Sequence, residues 1–220
     1  GLVPAAGAAD RRAQCWGSGG AWPPRRFAGE EAAAFEHRLR ADGIVAHCFV
    51  AMRYWHAFTA EAVEQLRAAN CEEVVLLPLY PQYSSTTTGS SLNEWRRLFR
   101  DDVPTQTVEA FYRNPLYLAS LVEKIDEALA RFPESGSPEI VVSAHSVPVS
   151  VIEKGDPYQR QIEETVELVM QRGGWRHRDR LCYQSKVGAS KGLQPPLHRP
   201  SGELRAGARR GSGGGARRVC

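Results

Sequence analysis

The sequence predicts an α/β fold, a doubly wound parallel sheet with helices on both faces. Two observations carry this. Strand-like runs alternate with helix-like segments of 3.6-residue periodicity along most of the 220 residues. Residues 139–143 form a short β-branched run, the pattern of a parallel strand buried on both faces. His145 follows that run at once, at the carboxyl end of the strand, where ligands bind in open α/β sheets.

The elements follow in order. Residues 1–26 are rich in Gly, Ala, Pro and Arg and show neither strand nor helix periodicity. They are expected to be irregular, either a processing segment or the product of a fragment or shifted reading frame. Residues 30–40 read as a helix with Ala34, Phe35 and Leu39 on one side and Gly43 as its C-cap. Residues 44–52 read as a strand. Thr59 caps a helix through residue 69, with Phe58 and Val63 spaced as a hydrophobic staple. Residues 73–80 are a second strand. Ser91 and Glu94 make a capping box for a helix to about residue 100. A weaker strand covers 105–110. The helix over 115–132 carries an apolar stripe of Leu118, Leu121, Val122, Ile125 and Leu129.

After the His145 strand, Asp156 and Pro157 read as N-cap and first position of a helix running to residue 172. A last strand covers 181–184, and no internal repeat of solenoid length interrupts the series. The expected organisation is a first α/β lobe over 27–135 and the start of a second over 136–188. Residues 189–220, with Gly, Ala and Arg in quantity and no apolar face, are expected to be disordered.

Composition narrows the function classes. The apolar fraction, 42%, is ordinary for a chain with a buried core. No apolar run approaches the ~20 residues that a membrane-spanning helix needs. The five cysteines are odd in number and lack paired metal spacing, which reads as reduced thiols in a cytosol-like compartment. The net charge of +3 invites a nucleic-acid reading, but the arginines after residue 195 account for it, and the rest of the chain is slightly acidic. A nucleic-acid partner is therefore not expected.

The chemistry-bearing residues gather just past strand ends. A histidine at position 145 has the chemistry of a base near neutral pH or of a ligand to a borderline metal. The alternative is a hydrogen-bonded strand-end residue, and position alone does not decide. Arg53 and Tyr54 follow the strand over 44–52, and an arginine there suits either a carboxylate ligand or a structural ion pair. His56, beside them, reads as a packing or capping residue. The hydroxyl-dense stretch 80–91 is a strand-to-helix turn suited to an anion at a helix N-terminus. Tyr183, Gln184, Ser185 and Lys186 stand at the end of the last strand, either as site residues or as ordinary loop polarity.

Four ordered blocks then carry a resemblance. They are Met52-Arg53-Tyr54-Trp55-His56; Leu77-Pro78-Leu79-Tyr80-Pro81-Gln82-Tyr83 running on to Thr88-Gly89-Ser90-Ser91; Ser143-Ala144-His145-Ser146-Val147-Pro148 with Lys154-Gly155-Asp156-Pro157-Tyr158; and Tyr183-Gln184-Ser185-Lys186-Val187-Gly188. Together they resemble ferrochelatase of the bacterial type, over roughly residues 27–188. The resemblance implies a chelatase-like fold of two Rossmann-like lobes and the insertion of ferrous iron into protoporphyrin IX to form protohaem. It implies His145 as catalytic base and metal ligand. Arg53, Tyr54, Tyr80, Tyr83, Ser84, Gln184, Ser185 and Lys186 become the substrate-binding set.

Iron is a substrate on this reading, and no further cofactor is implied. Animal ferrochelatases place an iron–sulfur cluster cysteine at the position aligned with Ser85, so no cluster is expected. Family members often work at membrane surfaces without spanning them, and the bacterial likeness makes a cytoplasmic setting the default. Two departures stand out: Ala57 replaces the usual proline after His56, and neither the first strand with its Gly-rich turn nor the second lobe's glutamate and aspartate has a counterpart. The expectation is a chain incomplete or frame-shifted at both ends, the second break falling near residue 189. The rival readings are a chelatase for another metal and tetrapyrrole, and a non-catalytic tetrapyrrole- or iron-binding half-domain.

Overall fold

A computed structural model describes residues 23–54, 56–133, 138–184 and 218–219. The fold is α/β with two small parallel sheets. The described residues divide into two compact units, one holding those up to Val74 with Ser90–Gln106, the other Val75–Gly89 with those from Thr107 on.

In the first unit, helix α1 (Pro23–Ala41) starts earlier than the periodicity suggested. Proline at a helix start lacks only an N–H that the first turn leaves unpaired anyway. Its end is as read from sequence. Gly43 takes φ +80°, its N–H donates to the Arg40 carbonyl at 3.1 Å, and the Ile44 N–H donates to Leu39 at 2.9 Å. That pair of bonds is a Schellman cap.

The strand expected over 44–52 does not form. Only Met52 makes an isolated bridge, to Phe58, with its N–H donating to the Ala57 carbonyl at 2.7 Å. A strand exists through its neighbour's hydrogen bonds, and among the described residues none forms a ladder with 44–51. Their amides turn elsewhere: Cys48 N–H donates to the Glu36 carboxylate at 3.0 Å, and Val45 is left 93% exposed.

Helix α2 (Thr59–Ala68) buries Ala62, Val63 and Leu66. Its cap falls one residue before the expected Thr59: the Phe58 N–H donates to the Glu61 carboxylate at 3.2 Å. Strands β1 (Val74–Leu76) and β2 (Thr105–Thr107) pair as a two-stranded sheet, each shorter than the sequence suggested. Helix α3 (Thr88–Leu98) begins three residues before Ser91, which removes the expected capping box. Glu94 instead accepts two hydrogen bonds from Arg97, at 2.9 and 2.8 Å. Leu92, Trp95 and Phe99 are buried, and the Trp95 and Phe99 rings stack at 4.6 Å.

In the second unit, β3 (Glu139–His145) lies between β4 (Asp179–Gln184) and β5 (Arg218–Val219), parallel to both. The β5 pair lies in the stretch expected to be disordered; it matches Glu139 with Arg218 and Ile140 with Val219. Helix α4 (Pro115–Leu129) has proline at its first position, and the Asn114 side chain accepts from the Leu116 and Tyr117 amides. A short helix not foreseen from sequence, α5 (Val149–Glu153), precedes α6 (Tyr158–Gly173). The core joins Ile140, Val166 and Met170, with Ile125, Leu129, Val142 and Leu181 packed against them. Strand, following helix and α4 therefore close on one apolar cluster, as βαβ packing requires. No helix among the described residues is long and apolar enough to cross a membrane.

Candidate functional site

The carboxyl end of β3 positions most of the second unit's candidates. Register sets His145 beside Gln184 and Ala144 beside Tyr183. Pairing continues one residue past the strand, where Ser146 N–H donates to the Gln184 carbonyl at 2.8 Å. The backbone on either side of the imidazole is therefore held, while the residues His145 and Gln184 are themselves exposed. The Tyr158 hydroxyl donates to the His145 carbonyl at 3.0 Å. Burial pushes the Tyr158 phenol above its ordinary range, which keeps that donor protonated.

The loop after β1 is docked onto the start of α6. The Asp156 Oδ2 atom accepts from Ser84 Oγ at 3.1 Å, from Ser85 N–H at 2.6 Å and from Ser85 Oγ at 2.7 Å. Its Oδ1 accepts from Tyr158 N–H at 3.0 Å. Pro157 already has helical angles (φ −80°, ψ −2°), so Asp156 acts as the N-cap read from sequence and holds the loop as well. A second attachment lies one turn on. Tyr83 N–H donates to Gln161 Oε1 at 2.7 Å, and Gln82 Nε2 donates to Thr165 Oγ1 at 2.9 Å.

These attachments sort the loop's expected site residues. Ser84 is fully buried, its hydroxyl engaged with Asp156 and Thr86. Tyr80 is exposed and Tyr83 partly so. A Cβ on Gly89 would come within 2.9 Å of the Tyr83 hydroxyl, so the absent side chain leaves the room that the phenol occupies. Among the described residues, the buried hydroxyls Tyr183 Oη and Thr88 Oγ1 have no hydrogen-bond partner. Burial, then Glu163 and Tyr158, push the Tyr183 phenol far above its ordinary range.

In the first unit, Arg53 and Tyr54 converge on Ser90. Arg53 Nε donates to Ser90 Oγ at 3.3 Å, Tyr54 Oη lies 3.5 Å from the same oxygen, and the guanidinium sits 5.0 Å from the Tyr54 ring centre. Tyr54 is 71% exposed, which leaves an amphipathic cation–aromatic pair at the surface. His56 pairs through Nδ1 with Glu61 at 2.7 Å and packs on Phe58 with ring centres 4.4 Å apart, matching the packing and capping expectation. Trp55, Ser185 and Lys186 lie outside the described residues.

Sequence reasoning missed Asp156 as more than a cap, and Gln161 and Thr165 altogether. The signal for the last two was available as polar residues on the apolar face of α6. Both are buried there. Among the described residues no three His, Cys, Asp or Glu side chains gather to hold a metal ion.

Comparison with known proteins gives one answer. The sequence model described as Ferrochelatase matches residues 8–209. Ferrochelatase-1, chloroplastic/mitochondrial, of Arabidopsis thaliana is 41% identical over 186 residues, covering 80% of this chain and 40% of that protein. The ferrochelatase of Gloeobacter violaceus is 39% identical over 183 residues (80% and 56%), and that of Geotalea uraniireducens 42% over 180 (80% and 55%). The chain spans about half the length of these curated relatives. With the profile match running over nearly its whole length, the chain belongs to the ferrochelatase family.

Proposed function

We propose that this chain binds protoporphyrin IX and inserts ferrous iron into it, forming protohaem and releasing two protons. The observation that carries the reading is His145, an exposed imidazole whose backbone is tied on both sides at the carboxyl end of the central strand. Membership of the ferrochelatase family supplies the substrate class.

Metal insertion requires that two pyrrole protons leave and that a dehydrated cation reach the ring centre. A planar macrocycle shields its own nitrogens, so the reaction needs a base held over one face. His145 is that base and the first protein ligand for the incoming iron, which enters as substrate. Tyr80 and Tyr83 supply aromatic wall, and Ser84 supports it from behind. Gln184, beside the histidine in the strand register, offers a polar group to the substrate. Arg53 with Tyr54 is suited to a propionate carboxylate, because a guanidinium offers paired donors.

The test is anaerobic iron insertion by the 220-residue chain beside His145→Ala. Loss of a general base lowers rate by about 10²- to 10⁴-fold, so turnover should fall at least ~100-fold while protoporphyrin binding stays within about twofold. Tight protoporphyrin binding with no turnover by the unaltered chain would favour a non-catalytic tetrapyrrole-binding half-domain. Turnover unchanged in His145→Ala would remove the histidine from the chemistry.

A further inference from the structure

We propose that Asp156 is a positioning residue that sets the loop bearing Tyr80 and Tyr83, and, through Tyr158, the chain at His145, against a single helix end. The inference rests on the porphyrin-binding reading of the site.

The carboxylate accepts four hydrogen bonds, more than a helix cap needs. One, from the Tyr158 amide to Oδ1, caps α6. The other three, from Ser84 and Ser85 to Oδ2, cross 71 or 72 residues of sequence to a different element. A capping aspartate without a second task would leave Oδ2 to solvent. Here the Asp156 residue is only partly exposed, and Ser84, whose hydroxyl it holds, is fully buried.

The amide that Asp156 fixes belongs to Tyr158, whose hydroxyl holds the His145 carbonyl at 3.0 Å. Loop, helix end and strand end thus form one chain of hydrogen bonds: Ser85 to Asp156, Asp156 to Tyr158, Tyr158 to His145. The Tyr83–Gln161 and Gln82–Thr165 bonds anchor the same loop one turn further along α6. A flat ligand held between an aromatic loop and an imidazole needs the separation of the two fixed to within a fraction of an ångström. A rigid helix end that holds both does this better than either loop alone.

Replacing the carboxylate separates positioning from capping. Asparagine is as good an N-cap as aspartate, but it has one acceptor oxygen where four donors converge on two. Asp156→Asn should therefore keep the cap and lose the loop attachment, whereas Asp156→Ala loses both.

The experiment measures, for the whole chain and both variants, the urea midpoint, amide hydrogen exchange at Tyr83, Ser85, Tyr158 and Ile140, and a protoporphyrin IX titration by absorbance. Expected for Asp156→Asn are a urea midpoint lowered by less than in Asp156→Ala, Tyr158 exchange slowed by the retained cap relative to Asp156→Ala, Ser85 exchange faster by tenfold or more with a smaller change at Ile140 in the core, and a protoporphyrin Kd raised about tenfold. Ser85→Ala, which removes one hydroxyl and leaves the cap intact, should raise Kd about threefold and serves if Asp156→Ala fails to fold. Faster Ser85 exchange with Kd unchanged within twofold would overturn the proposal, as would Ser85 exchange that does not change. An unaltered chain that fails to bind protoporphyrin overturns the site reading itself, and the positioning role with it.

Discussion

Tyr183 buries a hydroxyl that has no hydrogen-bond partner among the described residues. An unsatisfied buried polar group costs about 1–3 kcal/mol, so Tyr183→Phe should stabilise the fold by about 1 kcal/mol, seen as a higher urea midpoint at unchanged slope. A lower midpoint would mean that the hydroxyl is held by a partner such as a bound water. Asp156 is the opposite case, a single side chain with more donors than an ordinary cap. The contrast also marks what single residues reveal in sequence. For His145 only the place was legible, the carboxyl end of the β-branched strand; a hydrogen-bonded strand-end histidine would read the same way, so its role was not. Asp156 was legible only as a cap, since Asp-Pro before a helix is common and its partners Ser84 and Ser85 are more than seventy residues away. Long-range hydrogen bonds leave no local pattern to read.

At the scale of elements, the segments that carried their own punctuation were legible. Gly43 ended α1 as its Schellman geometry requires, and the stripe on α4 supplied Ile125 and Leu129 to the core. The stretch 44–52 was misread because a largely apolar run states only that a strand would suit it. Whether a neighbour pairs with it is decided elsewhere in the chain. The capping box at Ser91 failed for a related reason: the Gly89 N–H donates to the Ser84 carbonyl at 3.0 Å, and the helix starts in that turn instead.

Two substitutions test the elements themselves. Asn114→Ala removes the only side chain accepting from the Leu116 and Tyr117 amides in α4's first turn among the described residues, and should cost about 1 kcal/mol in urea denaturation. Gly89→Ala improves helix propensity but drives a methyl toward the Tyr83 hydroxyl. The two effects oppose each other, so the informative quantity is the coupling. In a Tyr83→Phe background the same substitution should be more favourable by about 1 kcal/mol, within the range of contacting pairs. Additive effects would show that the Tyr83 phenol has room to move aside.

For the molecule as a whole, the electrostatic balance is set by surface carboxylates held below their ordinary values by arginines. Arg97 does this to Glu94 through a hydrogen bond, Arg67 to Asp101 in the same way, and Arg113 to Glu164 with Tyr112 assisting. A carboxylate with a depressed folded-state pKa adds stability that is fully present above its unfolded value, about 4. That stability is lost as pH falls through the lower folded value, because the unfolded chain then binds more protons than the folded one. All three pairs are largely solvated, so each contribution is small and screened by salt. The urea midpoint should therefore be flat from pH 7 to about 5 and fall between about 5 and 3. The fall should shrink in 0.5 M NaCl and become shallower in Glu164→Gln, which removes one of the titrating groups. A midpoint that rises on acidification would mean that these pairs do not govern the acid response of the chain.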